Sequence, residues 1–221
     1  MTEKCNICGF EKFGPGPGGR MARNGAPPLC MKCRSLERHR SIRALMERLG
    51  GPFLTSRRYL QFSHDMSLDP SMFDTYERSI YGGDNSLDLQ AIAKPDCGYD
   101  FISANHVIEF IPDDRRAFDE LVRILSHSGV LQICFATPFS REKSLHYDEP
   151  EGPQGNLHRY GRDVVDYFTA GRHHVYSVAA SLPDPVTGSA EPIHFFCRER
   201  FSWRYIVRVL GESVLETHGE Q

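Results

Sequence analysis

The chain reads as an α/β protein built on a mostly parallel sheet, preceded by a small metal-binding ribbon. Three observations predict this. Cys5, Cys8, Cys30 and Cys33 stand as two C-x2-C pairs around a loop of 21 residues. Residues 99–104, Tyr-Asp-Phe-Ile-Ser-Ala, form a near-continuous apolar run suited to a buried parallel strand. A helical stripe of Phe118, Leu121, Val122 and Leu125 follows, then a second apolar run at 130–135, so that strand, helix and strand alternate.

The cysteines come first. A tetrahedral zinc site needs four thiolates at one point, and each short C-x-x-C turn supplies two. The loop between them begins Gly14-Pro15-Gly16-Pro17-Gly18-Gly19 and is too poor in apolar residues to make a core. Metal would contribute much of its folding free energy, and four protein ligands close the site, which makes it structural. Four unrelated buried cysteines, or redox C-x-x-C chemistry, are the alternatives. The second lacks the βαβ context that redox motifs have.

Composition sets the remaining bounds. The chain has 221 residues, 40% hydrophobic and 25% charged, enough for one sizeable domain and a small module. A net charge of −3 gives no global attraction to nucleic acid or to an anionic membrane. No apolar run approaches the length of a membrane span, and the first residues hold no signal-peptide core. Thiolate ligands without an export signal point to the cytoplasm. Cys97, Cys134 and Cys197 sit in or near apolar stretches and read as small buried hydrophobes.

After Cys33, Ser35 is a good N-cap for a helix whose apolar face is Leu36, Ile42, Leu45, Met46 and Leu49, with Arg38, Arg40, Arg43 and Glu47 largely off it. Gly50-Gly51-Pro52 stops it. Residues 59–62 read as a strand, 70–76 as a short helical segment, 78–81 as a second strand broken by Gly82-Gly83-Asp84, and 86–92 as ambiguous. Pro112 opens the helix after the central strand, with Asp113 and Asp114 suiting its dipole. Ser128-Gly129 turns into the next strand, and 137–158 reads as a polar loop. A helix at 161–170, strands at 174–180 and 193–197 forming an antiparallel edge hairpin, and a short helix at 205–210 complete the chain. The division is 1–34 for the zinc ribbon, 35–52 for a linking helix and 53–221 for the main domain, with the last expected to fold alone.

Residues 99–114, then Ala117–Leu125 and Ser128–Leu131, resemble the fourth strand, following helix and fifth strand of class I S-adenosylmethionine-dependent methyltransferases. The segment Cys33-Arg34-Ser35-Leu36-Glu37-Arg38-His39-Arg40, and His158-Arg159-Tyr160-Gly161-Arg162-Asp163, are similar to a bacterial subgroup with an N-terminal zinc ribbon. The resemblance implies a Rossmann-like sheet and S-adenosylmethionine as cofactor. It is weakest at 59–97. Most members carry a glycine-rich turn after the first strand, where this chain has Gln61-Phe62-Ser63-His64-Asp65-Met66.

The resemblance also implies site residues. Asp84 is placed to hold the ribose hydroxyls and Asp88, between Leu87 and Leu89, to meet adenine. Ser63 and His64 stand where glycines normally allow close approach, and Asn105 completes the pocket. Their bland readings are a turn and a surface carboxylate. Side chains just beyond a central strand face the usual ligand site of open α/β sheets, so His106 and Glu109 face it here. His106 is read as a catalytic base, with capping or packing as its other role. His158, with Arg159, Tyr160 and Arg162, is a second catalytic candidate in a cluster suited to an anionic substrate or a lid.

Two functions follow. One is methyl transfer to a small-molecule or glycan-like acceptor. The other is a catalytically inactive, methyltransferase-like binding or scaffold module. In the second reading the ribbon would bind a protein partner. A nucleic-acid-binding ribbon is a third reading, opposed by the net charge and by only Phe10 and Phe13 as ribbon aromatics.

Overall fold

A computed structural model describes residues 3–83, 85–136 and 140–219. Among these residues the main sheet has seven strands: β3 (Arg58–Phe62), β4 (Thr75–Ser79), β5 (Tyr99–Ala104), β6 (Leu125–Ile133), β9 (Tyr176–Ala180), β10 (Ile193–Cys197) and β11 (Val214–His218). Their order is β11-β9-β10-β6-β5-β3-β4. β4, β3, β5 and β6 run parallel, β10 runs antiparallel to both β6 and β9, and β11 antiparallel to β9. The edge hairpin expected from the sequence is therefore present and is extended by β11, which the sequence reading missed.

Strand periodicity decides which layer each side chain joins. Leu60, Phe62, Ile102 and Ala104 face one core with Phe118, Leu121 and Phe168, from α3 (Asp114–Ile124) and α4 (Val164–Thr169). Tyr59, Phe101 and Phe195 face the other core. There they meet Ile42, Leu45, Met46 and Leu49 of α1 (Glu37–Leu49), Leu54 of the short α2 (Gly51–Leu54), and Trp203, Ile206 and Leu210 of α5 (Arg200–Leu210). The apolar stripe of α1 thus packs on the main domain, and a cut at residue 53 would remove one wall of that core.

The first half of the sheet is spare. β3 and β4 are joined without a long helix, only a 3-10 turn at Pro70–Met72, and the second strand begins three residues earlier than its apolar pattern suggests. The helix α3 starts at Asp114, two residues after Pro112, because Asp113 caps it by accepting from the Arg116 amide at 3.0 Å. The stretch read as a loop contains a hairpin, β7 (Leu145–Glu151) with β8 (Asn156–Arg159). The mostly exposed residues of β7 lack the apolar alternation that betrays a strand. Among the described residues no helix is long and apolar enough to cross a membrane.

The ribbon is a pair of matching turns bridged by β1 (Phe13–Gly14) and β2 (Leu29–Cys30). The amide of Cys5 donates to the Phe10 carbonyl and that of Cys30 to the Ser35 carbonyl, both at 2.9 Å. Gly9 and Arg34 occupy equivalent left-handed positions, φ 73° and 65°. Ser35 is not the cap of α1. Its hydroxyl lies 3.3 Å from Cys5 Sγ and 3.2 Å from Cys33 Sγ, while His39 Nδ1 accepts from the Leu36 amide at 2.9 Å and closes the helix end.

The polar face of α1 is mostly buried. Glu37 takes a two-point contact from Arg20 at 2.8 and 2.7 Å, and Arg40, fully buried, contacts Asp184 at 2.5 and 2.8 Å. Arg40 also donates to the carbonyls of Pro28 and Ser35. Ribbon, helix and the loop after β9 are thereby joined into one unit.

Candidate active site and cysteine centre

The parallel strands β3, β4 and β5 end together, and beyond their carboxyl ends lies a cavity of about 760 Å³, the place where open α/β sheets bind ligands. Phe62, Ser63, Leu87, Asp88, His106 and Ile111 are among its walls. That volume is within the range of about 300–1,000 Å³ usual for small-molecule sites.

Ser63 follows β3 with φ 68°, the left-handed region that a glycine would enter without strain. Its amide donates to the Ser79 carbonyl at 2.8 Å, which ties the ends of β3 and β4. The turn therefore has the backbone shape of a glycine turn with a side chain added. Asp88 Oδ1 accepts from the Gln90 amide at 2.9 Å, and Leu87 and Leu89 also line the cavity, beside the carboxylate as expected. Asp84 lies outside the described residues.

His106 follows β5 and is also left-handed, φ 52°, held by its amide donating to the Cys134 carbonyl at 3.0 Å. Its Nε2 is buried without a partner among the described residues. Burial brings its pKa down to about 4, so the ring is neutral near pH 7. Its Nδ1 stands 3.9 Å from Glu109 Oε1. Glu109 is buried; Oε1 accepts from the Ala136 amide at 3.0 Å, and Oε2 has no partner among the described residues. Burial pushes its pKa up to about 7.

The other expected residues are placed differently. His64 is exposed, outside the cavity wall, with Nδ1 3.3 Å from an Arg78 nitrogen. Asn105 is buried and committed: it donates to Asp65 at 3.1 Å and Gln132 at 3.2 Å, and accepts from Gln132 at 2.7 Å and the Cys134 amide at 2.8 Å. It braces β5 against β6 and does not line the cavity. His158 belongs to β8 and has both ring nitrogens in use, one 2.8 Å from His146 Nδ1 and the other 2.8 Å from the Ile111 carbonyl.

Asp114, His146 and His158 come close enough together to suggest an ion. Two tetrahedral ligands at bonds of about 2.0–2.1 Å would stand roughly 3.3 Å apart. The 2.8 Å between the two Nδ1 atoms is instead a shared hydrogen. Both Asp114 oxygens are already taken, each accepting a hydroxyl at 2.8 Å from Tyr160 and Tyr167. The group is a latch that fastens the hairpin to the start of α3.

Sequence reasoning missed Arg38 and Arg141, and noted Glu109 only for its position. Arg38 comes from α1, half-buried, and its charge bears on Glu109, Glu191, His106 and Asp65. The clue was local: Glu109 is an acid among the apolar residues 107–111.

The four ribbon cysteines meet. Cys5 Sγ is 3.7 Å from Cys33 Sγ and Cys8 Sγ 3.6 Å from Cys30 Sγ, and all four lie within 4.8 Å of one another. Zinc–sulfur bonds of about 2.3 Å at tetrahedral angles separate sulfurs by roughly 3.8 Å, so the donor set fits one such ion.

Residues 60–133 match the family model described as a methyltransferase domain. No curated protein sequence matches the chain. In shape the chain is similar to a SAM-dependent methyltransferase from Thermotoga maritima, at 11% identity, over 72% of this chain and 92% of that one, with a TM-score of 0.41. It is also similar to the 1,6-didemethyltoxoflavin-N1-methyltransferase of Burkholderia thailandensis, solved with S-adenosylhomocysteine, at 8% identity over 70% and 76%, TM-score 0.47. A third is a SAM-dependent methyltransferase from Aquifex aeolicus, at 13% identity over 70% and 88%, TM-score 0.44.

Proposed function

We propose that this chain, which carries a methyltransferase domain over residues 60–133, transfers a methyl group from S-adenosylmethionine to a small-molecule or glycan-like acceptor. Zinc in the four-cysteine ribbon would serve structure. The observation that carries the reading is the cavity beyond β3, β4 and β5, within that matched span, with apolar walls, one carboxylate and one neutral histidine converging on it.

Bound S-adenosylmethionine supplies a methyl group activated on a positively charged sulfur. The chain's residues do the rest. Leu87 and Leu89 would wall the adenine ring, and Asp88 would accept from its amine, as a carboxylate can. Asp84 is the sequence's candidate for the ribose hydroxyls. Ser63 would face the methionine end, its side chain holding that end further from the backbone than glycine would. His106, neutral and unpaired at Nε2, would accept a hydrogen bond from the incoming nucleophile and orient it. The enclosed geometry favours reaction chiefly by positioning.

Calorimetric titration with S-adenosylhomocysteine tests the reading. Binding is expected in the range of tens to hundreds of micromolar, because losing one or two backbone contacts at Ser63 costs on the order of 1 kcal/mol each. No heat and no thermal shift at saturating ligand would leave the inactive scaffold as the function.

A further inference from the structure

A second, smaller cavity of about 290 Å³ lies between Glu109 and the β7–β8 hairpin, with Arg141, Asn156, His158 and Arg159 among its walls. Some of its polar groups are idle. Glu109 Oε2 is buried without a partner, and so is Arg141 Nε, among the described residues. Arg159 makes no ion pair among the described residues; its guanidinium carbon lies 5.8 Å from the centre of the Tyr147 ring. A buried polar atom left unpaired costs free energy, so these groups are arranged for something that enters. Two uncommitted guanidinium groups suit carboxylate or phosphate oxygens.

Position says which role the cavity has. Glu109 opens onto the small cavity and His106 onto the large one, and their side chains stand 3.9 Å apart. The two cavities meet at this pair of residues. The latch of Asp114, His146 and His158 holds the hairpin over the small one.

We propose that the smaller cavity is the acceptor subsite, taking a small molecule that carries an anionic oxygen group on Arg141 and Arg159 and presents its nucleophilic oxygen or nitrogen to Glu109, which accepts the proton. This rests on the methyltransferase reading. In the step, the acceptor's O–H or N–H bond breaks and its proton passes to Glu109 Oε2. The electron pair left behind forms the bond to the methyl carbon, while the carbon–sulfur bond of the sulfonium donor breaks with its pair left on sulfur. A carboxyl poised near neutrality suits that exchange.

The test uses the full chain and simple anions. The Arg Nε–Hε signals of the nitrogen-15-labelled protein are followed while inorganic sulfate, or separately sodium acetate, is added. Saturable millimolar shifts of the Arg141 and Arg159 signals are expected, identified by their loss in Arg141→Lys and Arg159→Lys. Sulfate alone binding marks a phosphate-bearing acceptor, and acetate a carboxylate-bearing one. Arg141→Ala should weaken binding at least tenfold with the fold kept by circular dichroism. Glu109→Gln should bind sulfate several-fold tighter than wild type at pH 8 and equally at pH 6, since only the wild type gains a negative charge in that interval. No saturable shift, shifts unchanged in both Arg141→Ala and Arg141→Lys, or a Glu109→Gln curve superimposed on wild type at both pH values would overturn the proposal. S-adenosylhomocysteine is titrated into the same samples. Its binding without an anion site refutes the subsite alone, and its failure to bind refutes the methyltransferase reading on which the subsite rests.

Discussion

Arg40 Nε lies 2.5 Å from Asp184 Oδ1, both side chains fully buried and 144 residues apart in sequence. The contact is two-pronged, and Asp184 also accepts from the Thr187 amide and hydroxyl at 2.9 and 2.7 Å. Every polar atom of the pair is thus employed, and that is the condition under which a buried ion pair is tolerated.

Removing one partner should therefore be costly. Asp184→Asn is expected to destabilise the chain by about 3–5 kcal/mol, because it strands a buried guanidinium. A truncation starting at residue 53 should lose its cooperative melt, since Ile42, Leu45, Met46 and Leu49 leave the core with α1. Urea unfolding measures both; a wild-type midpoint for Asp184→Asn, or a cooperative truncated domain, would show that α1 is dispensable.

The ribbon should hold about one zinc per chain by its four-ligand count. Cys5→Ser and Cys30→Ser should each abolish it in elemental analysis. The metal should also matter to the main domain, because Ser35 touches Cys5 and Cys33 while its carbonyl accepts from Arg40. Chelation is expected to lower the melting temperature of the whole transition rather than produce a separate early one.

Ser63→Gly should tighten S-adenosylhomocysteine binding several-fold with little change in stability. Relieving the left-handed serine gains about 1–2 kcal/mol, which the extra freedom of an unfolded glycine offsets by roughly 0.5–1 kcal/mol. Affinity gains because the backbone becomes approachable. Weaker binding would mean that the Ser63 hydroxyl itself contacts the ligand.

Stability should fall in acid. His39, His106 and His194 have pKa values brought down to about 4, first of all by burial, from the ordinary 6.5. The unfolded chain takes up these protons first, so the stability present above pH 6.5 is lost as the pH drops toward 4. His194 packs against Phe135 and Phe196 with Nδ1 unpaired among the described residues. His194→Phe keeps the packing and should shrink the difference in melting temperature between pH 7 and pH 4.5. An unchanged difference would locate the acid sensitivity elsewhere.

The sequence by itself determined the elements whose signal is local. Paired C-x-x-C turns locate the ribbon, the apolar run at 99–104 is buried on both faces and reads so, and the Phe118–Leu121–Val122 stripe finds α3. The same local character placed Ser63, Asp88 and His106 at one cavity, because residues just beyond parallel strands must gather at the carboxyl edge of the sheet. The fate of a polar side chain is not local. Asn105 and His158 resemble ligand-facing residues in sequence, yet Gln132, Cys134, His146 and Ile111 claim their hydrogen bonds from distant segments. Arg40 looks like a solvated helix residue until Asp184 arrives to neutralise it. Only the tertiary structure decided which charges could be buried, because burial depends on a partner that the chain brings from elsewhere.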